Sequence, residues 1–178
     1  MSLISTVDSK LVTIAGRVAA RSELQNISLV DSNATLSPTF VERGYHVSSE
    51  GWSIDVGFDR RKVWLKGKTL CTLIRFKFAA KERGAGAKTP VVSITATFFA
   101  EYQLAEGFLP DTKEQRAFLA TNAIFNCWPF WREYVKSTAT RMNLPPLTLP
   151  FFRILPRDAA HEIKSLGEGK KHKNAELT

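Results

Sequence analysis

The sequence predicts an α+β fold: a four-stranded antiparallel sheet, then a long helix bent at a proline and a short C-terminal helix, with one helix ahead of the sheet. Three observations carry this. Four stretches of strand-like alternation lie between Leu24 and Leu104, and no helical pattern separates them. A helical pattern then runs from Asp111 to about Met142, and a shorter one covers Lys10–Arg21. Strands grouped together, rather than alternating with helices, give an antiparallel sheet with the helices packed beside it. At 178 residues the chain reads as one domain over residues 1–166, long enough to bury a sizeable core. Residues 167–178 offer no core residue before Leu177 and read as a disordered tail.

In Lys10–Arg21, Leu11, Ile14, Ala15 and Val18 recur at helical spacing with Arg17 and Arg21 opposite, and Asp8 or Ser9 supplies a cap. Leu24–Leu36 alternates but is rich in Asn and Ser, which marks a bulged or edge strand. The polar stretch from Ser37 to Gly51 crosses over to the next strand. That strand begins at Trp52, with Ile54, Val56 and Phe58 on one face; Arg60-Arg61-Lys62 marks a turn or a bent continuation to Leu65. Leu70–Ala79 places Ile74, Phe76 and Phe78 on one face and Leu73, Arg75 and Lys77 on the other. A glycine-rich hairpin over residues 81–88 leads to the last strand, Pro90–Leu104, where Val92 to Leu104 share an apolar face. Asp111 with Glu114 three residues on is a capping-box start, Pro129 should bend the helix, and residues 156–166 form the short final helix.

Composition narrows the function classes. The formal net charge is +8, with most of the excess between residues 51 and 110. A positive field suits acidic partners or nucleic acid. No window approaches a membrane span, and the N-terminus lacks a basic region before its short apolar stretch, so no signal peptide is read and the cytoplasm is expected. Cys71 and Cys127 read as reduced core thiols, and the scattered His46, His161 and His172 give no metal-ligand spacing, so neither metal nor cofactor is expected. There is no G-x-S-x-G, P-loop, H-E-x-x-H or G-x-G-x-x-G. No nucleophile, base and oxyanion donor can be nominated together, so the chain is not read as an enzyme.

Two binding readings remain. In the first, Arg75 and Lys77, with Phe99 beside them, make a basic sheet face able to hold RNA by stacking and charge. In the second, Trp52 and Ile54 at a strand start, Trp128, Phe130 and Trp131 around Pro129, and Leu144, Leu147, Leu149, Phe151 and Phe152 in and after the proline-rich segment line a groove for apolar polypeptide. Prolines bar Leu144–Pro150 from a helix interior or inner strand, so an extended, stiff loop is expected there. The aromatics and the basic residues lie in different segments, which favours the groove.

The same stretch carries a family resemblance. Pro129, Arg132 and Glu133, a helix, then Pro145, Leu147, Leu149 and Pro150 resemble the C-terminal half of SecB chaperones, whose pattern is roughly F-P-Y-A-R-E followed by R-G-x-F-P-x-L-x-L-x-P. Met142-Asn143 stands where that family has R-G, and Trp131 where it has alanine before R-E. Trp52 heads an alternating strand as a tryptophan does there, so the resemblance spans Leu24 to Phe152. It implies a dimer of dimers, client chains wrapped in grooves at the loop and crossover, and no ATP. Familiar SecB proteins are acidic and pass preproteins to the SecA motor by the sheet face, which here carries Arg75 and Lys77. The N-terminal helix, the basic balance and the missing acidic tail resemble instead the SecB-like chaperones of toxin–antitoxin–chaperone modules. That implies an ATP-independent holdase of an aggregation-prone antitoxin, and through it control of a toxin, with general protein export as the alternative.

Overall fold

The computed structural model describes residues 2–45, 51–83, 89–145 and 147–156. Its first strand, β1 (Ser2–Val7), leads into α1 (Ser9–Ala19), whose N-cap Asp8 accepts from the Lys10 amide at 2.8 Å. The sheet is built from β2 (Ser22–Leu36), β3 (Trp52–Lys66), β4 (Thr69–Glu82) and β5 (Val92–Leu104), in the order β2-β5-β4-β3 and antiparallel throughout. Its first two strands in sequence therefore occupy opposite edges, and the crossover between them holds one helical turn, α2 (Pro38–Glu42). Register shifts between Leu24 and Asn26 and between Leu29 and Asp31 give β2 the bulged edge its polar residues foretold. The basic triplet is a bent continuation: the register slips between Arg60 and Lys62, and β3 runs on to a tight turn in which Gly67 takes φ of 60°.

After β5 come α3 (Thr112–Phe118), a π-helical turn over Leu119–Ala123 and α4 (Ile124–Arg141), a single joined helix. The Asp111–Glu114 capping box forms in both directions, at 2.8 and 3.0 Å, and Arg17 of α1 reaches Glu114 at 3.3 Å. Thr121 Oγ1 donates to the Ala117 carbonyl at 2.9 Å at the π turn, a change of helical step that no residue pattern had signalled. Pro129 remains inside α4 on its exposed side, so the carbonyl that loses its donor faces water.

The core follows from two periods. Ile124, Cys127, Trp128, Trp131 and Val135 recur at helical spacing and bury that stripe of α4. Ile74, Phe76 and Phe78 of β4 and Ile94, Ala96 and Phe98 of β5 meet it from one face of the sheet. Phe76 is the hub: Trp131 stacks on it at 5.6 Å, with Trp128 and Phe98 edge-on at 5.9 Å. Both cysteines are buried and free, and burial pushes the Cys127 thiol up to about 12.

One pairing was not foreseen. A last strand, β6 (Phe151–Pro156), lies parallel to β1 in a separate two-stranded sheet, Ser2 opposite Phe151 and Val7 opposite Pro156. Pro156, expected to open a helix, ends this strand; the rest of that expected helix, the tail, and residues 84–88 of the hairpin lie outside the described residues.

Candidate functional site

At the start of β3 the sheet is hollow. Ile54 lies opposite Ala80, and Ala80 opposite Val92, so one methyl group sits between two larger side chains. Trp52, Ile54 and Phe78 surround that depression, and Leu144, Pro145 and Leu147 close it from the other side. The result is an apolar cleft of about 200 Å³. It is smaller than a typical small-molecule site and suits one or two apolar side chains. Ile54 is 50% exposed, an unusual position for an isoleucine on a core-facing row.

Each wall is anchored from behind. Trp52 packs edge-on against the buried Phe40 of α2, with Tyr45 on that ring's other contact, at 5.5 and 5.6 Å. Arg43 covers the same ring and pairs at 3.0 Å with Glu82, the residue opposite Trp52 in the sheet. Backbone bonds from Ser37 to Val91 and from Arg83 to Gly51 hold both ends of the crossover. The tryptophan is thus fixed by packing rather than carried on a loose loop.

The opposite wall begins where α4 ends. Asn143 takes φ of 55°, the Leu144 amide donates to Ala139 at 3.0 Å and the Asn143 amide to Thr140 at 3.1 Å, a Schellman termination. Asn is the residue after glycine most at ease in that conformation, which accounts for Asn143 standing where the resemblance expects glycine. Beyond it the proline-rich segment cannot bond itself, and α4 supplies donors instead. Trp128 Nε1 donates to the Pro150 carbonyl at 3.1 Å and Arg132 Nε to the Leu149 carbonyl at 2.9 Å. Arg132 of the R-E motif is therefore the clamp of the loop, and its guanidinium also lies over the Phe151 ring.

The residues expected at the groove divide three ways. Trp52, Ile54, Leu144 and Leu147 line the cleft together. Trp128, Trp131, Leu149 and Phe152 are buried in the core, where Phe152 meets Phe58 at 5.8 Å and stacks on Trp128 at 5.0 Å. Phe130 and Phe151 are exposed away from the cleft lining. Phe78 and Val92 had been read only as sheet core, and Ala80 lay just past the expected end of its strand at Ala79; continued alternation along that strand, which runs to Glu82, was the signal for their place in the cleft.

Arg75 and Lys77 do project from the other sheet face, and of the two Lys77 is ion-paired. Lys77 Nζ lies 2.6 Å from Asp59 and its ammonium, bonding that carboxylate, holds Asp59 below the usual range. Arg75 reaches Thr95 at 3.5 Å, and its Nε is buried without a partner. Beside them Trp64 stacks on Phe99 at 5.7 Å, and the Lys62 ammonium lies 5.1 Å from the Trp64 ring centroid.

Among the described residues no helix is long and apolar enough to cross a membrane. No family model matches the chain, and no curated protein matches it. Among solved structures it is similar to the Mycobacterium tuberculosis SecB-like chaperone Rv1957, solved in complex with a ChAD peptide from the Rv1956 HigA1 antitoxin. That match has a TM-score of 0.66 and 25% identity, over 82% of this chain and 100% of the other. A Streptococcus agalactiae protein of unknown function matches at 10% identity and a TM-score of 0.40 over 73% of this chain and 97% of its own, too weak a likeness to argue from. The resemblance to SecB-like chaperones seen along the sequence thus holds in three dimensions, over 82% of the chain.

Proposed function

We propose that this protein is an ATP-independent, cytoplasmic SecB-like holdase that binds aggregation-prone polypeptide, and that its dedicated client is the antitoxin of a toxin–antitoxin–chaperone module. The observation that carries the reading is the apolar cleft between Trp52 and Leu147. Its walls are held by groups outside it, so it stays open to take side chains from another chain. Burying one Leu or Phe there contributes about 1.5–3 kcal/mol, and repeated shallow contacts give affinity without a fixed sequence. The likeness to a chaperone solved with an antitoxin peptide supports the choice of client. No cofactor enters this mechanism. In the same proposal four chains assemble as a dimer of dimers, joining several clefts into longer binding surfaces.

The test is protection of an aggregating antitoxin without nucleotide. Trp52→Ala with Leu147→Ala should weaken it several-fold, and Ala80→Phe, which fills the hollow without removing a wall, should do the same. Undiminished protection by both variants would displace the client from this cleft. Efficient rescue of secretion in cells lacking their own SecB would favour the export reading. The stacked Trp64 and Phe99 beside Lys62 favour single-stranded RNA as a second reading, recognised by binding with a steep salt dependence.

A further inference from the structure

The apolar row that forms the cleft wall ends in a concentration of positive charge. Trp52, Ile54, Val56, Phe58 and Arg60 alternate along β3, so Arg60 stands on the same face as the wall residues. Immediately after it the strand bulges, and the slip between Arg60 and Lys62 turns consecutive cations in different directions. Arg60, Arg61 and Lys62 then share a cleft of about 430 Å³ with Arg116 of α3, and Val63 and Leu119 complete its lining. This is more than twice the volume of the apolar cleft, at about 200 Å³.

The local acids do not neutralise it. Asp59 sits 3.8 Å from Arg61 but is held closer, at 2.6 Å, by Lys77. Glu114, two residues before Arg116 and so on the other side of the helix, pairs with Arg17 instead. Asp8 shares a neighbouring cavity with Arg60, yet its carboxylate caps α1 and forms no ion pair with it. Lys62 lies over the Trp64 ring and keeps its charge there. Arg60 and Arg116 remain as exposed guanidinium groups without an acidic partner among the described residues.

We infer that this cleft is a second client subsite, recognising an acidic segment of the same polypeptide whose apolar residues occupy the Trp52–Leu147 cleft. The inference rests on the holdase reading and adds to it a spacing and a charge. From Trp52 to Arg60 is eight residues of extended strand, roughly 26 Å. A client lying along the free edge of β3 spans that distance with about the same number of its own residues. The preferred client therefore carries an apolar anchor and, about eight residues away, two or three acidic side chains. Guanidinium groups suit this because they bind carboxylates in pairs while remaining charged at any cellular pH.

The test uses two labelled peptides with the same apolar anchor, one followed at that spacing by three glutamates and the other by three glutamines. The full-length protein should bind the glutamate peptide about fivefold more tightly at low salt, an advantage that shrinks as salt rises. Arg60→Ser with Arg116→Ser should remove that advantage and leave the glutamine peptide unaffected, whereas Trp52→Ala with Leu147→Ala should weaken both. Equal binding of the two peptides by the native protein would overturn the acidic subsite while leaving the apolar cleft standing. So would an equal loss of both in the arginine variant. Failure of both peptides to bind would remove the holdase reading and this inference together. Capture of a single-stranded oligonucleotide at Arg60 and Arg116, in competition with the acidic peptide and more tightly than it, would assign the cleft to nucleic acid instead.

Discussion

Trp128 and Trp131 lie one turn apart on α4, both against Phe76, but their indole nitrogens differ. That of Trp128 donates to Pro150, whereas that of Trp131 is buried without a partner. A donor left unsatisfied in the interior subtracts from the stability its ring provides. Replacing Trp131 by Phe removes ring area and the orphaned donor together, and should cost about 1 kcal/mol. Trp128→Phe also strips the Pro150 carbonyl of its donor and should cost about 2 kcal/mol. Urea denaturation would measure both, and a larger loss at Trp131 would contradict the account. These two residues also show what was legible at this scale. Aromatic density around Pro129 suggested a groove, yet the spacing of 124, 127, 128, 131 and 135 was already the stripe of a buried helix face. The spacing won because a core stripe packed on a sheet buries more area than a shallow groove does. Trp52 and Leu147 were legible as cleft walls because nothing in their own elements could cover them.

At the scale of elements, the proline-rich loop depends on α4 for the hydrogen bonds it cannot make itself. Arg132 is the stronger of the two clamps, being a charged donor. Arg132→Ala should cost about 1.5–3 kcal/mol and loosen the segment it holds. Hydrogen exchange would show this as faster exchange at the Leu147, Thr148 and Leu149 amides, with the Val135 and Ala139 amides in α4 unchanged. Equal acceleration in both would mean that the helix itself had been destabilised. The sheet strands were readable because alternation is a local signal, and the capping box because its residues are three apart. The β1–β6 pair was not, since neither six-residue strand carries a mark of its partner at the far end of the chain. Nor was the π turn, which Leu119–Ala123 adopt with a composition that suits an ordinary helix.

At the scale of the molecule, apolar surface remains uncovered in one chain. Leu24, Leu29 and Val30 are exposed on the edge strand β2, and Phe125 and Phe130 on the outward side of α4. An open strand edge with large apolar residues invites pairing, and cyclic self-association is the usual way to satisfy it. Light scattering at micromolar concentration should find four chains, and Leu29→Lys with Val30→Lys should shift the protein to a smaller species. A native protein that remains a single chain would remove the assembly from the proposal, and with it the long composite surface for clients.

The parallel pairing of β1 with β6 has a temporal consequence. A ribosome makes Ser2–Val7 before the sheet and helices and Phe151–Pro156 after them, so β1 must wait unpaired while those elements are made. The loop that walls the apolar cleft lies just before β6, between the end of α4 and that late-arriving strand. Its two clamps on α4 can close only when the same stretch of chain has emerged. The surface that would hold another unfolded chain is therefore completed in the same late step that brings Leu149 and Phe152 to cover this protein's own apolar core.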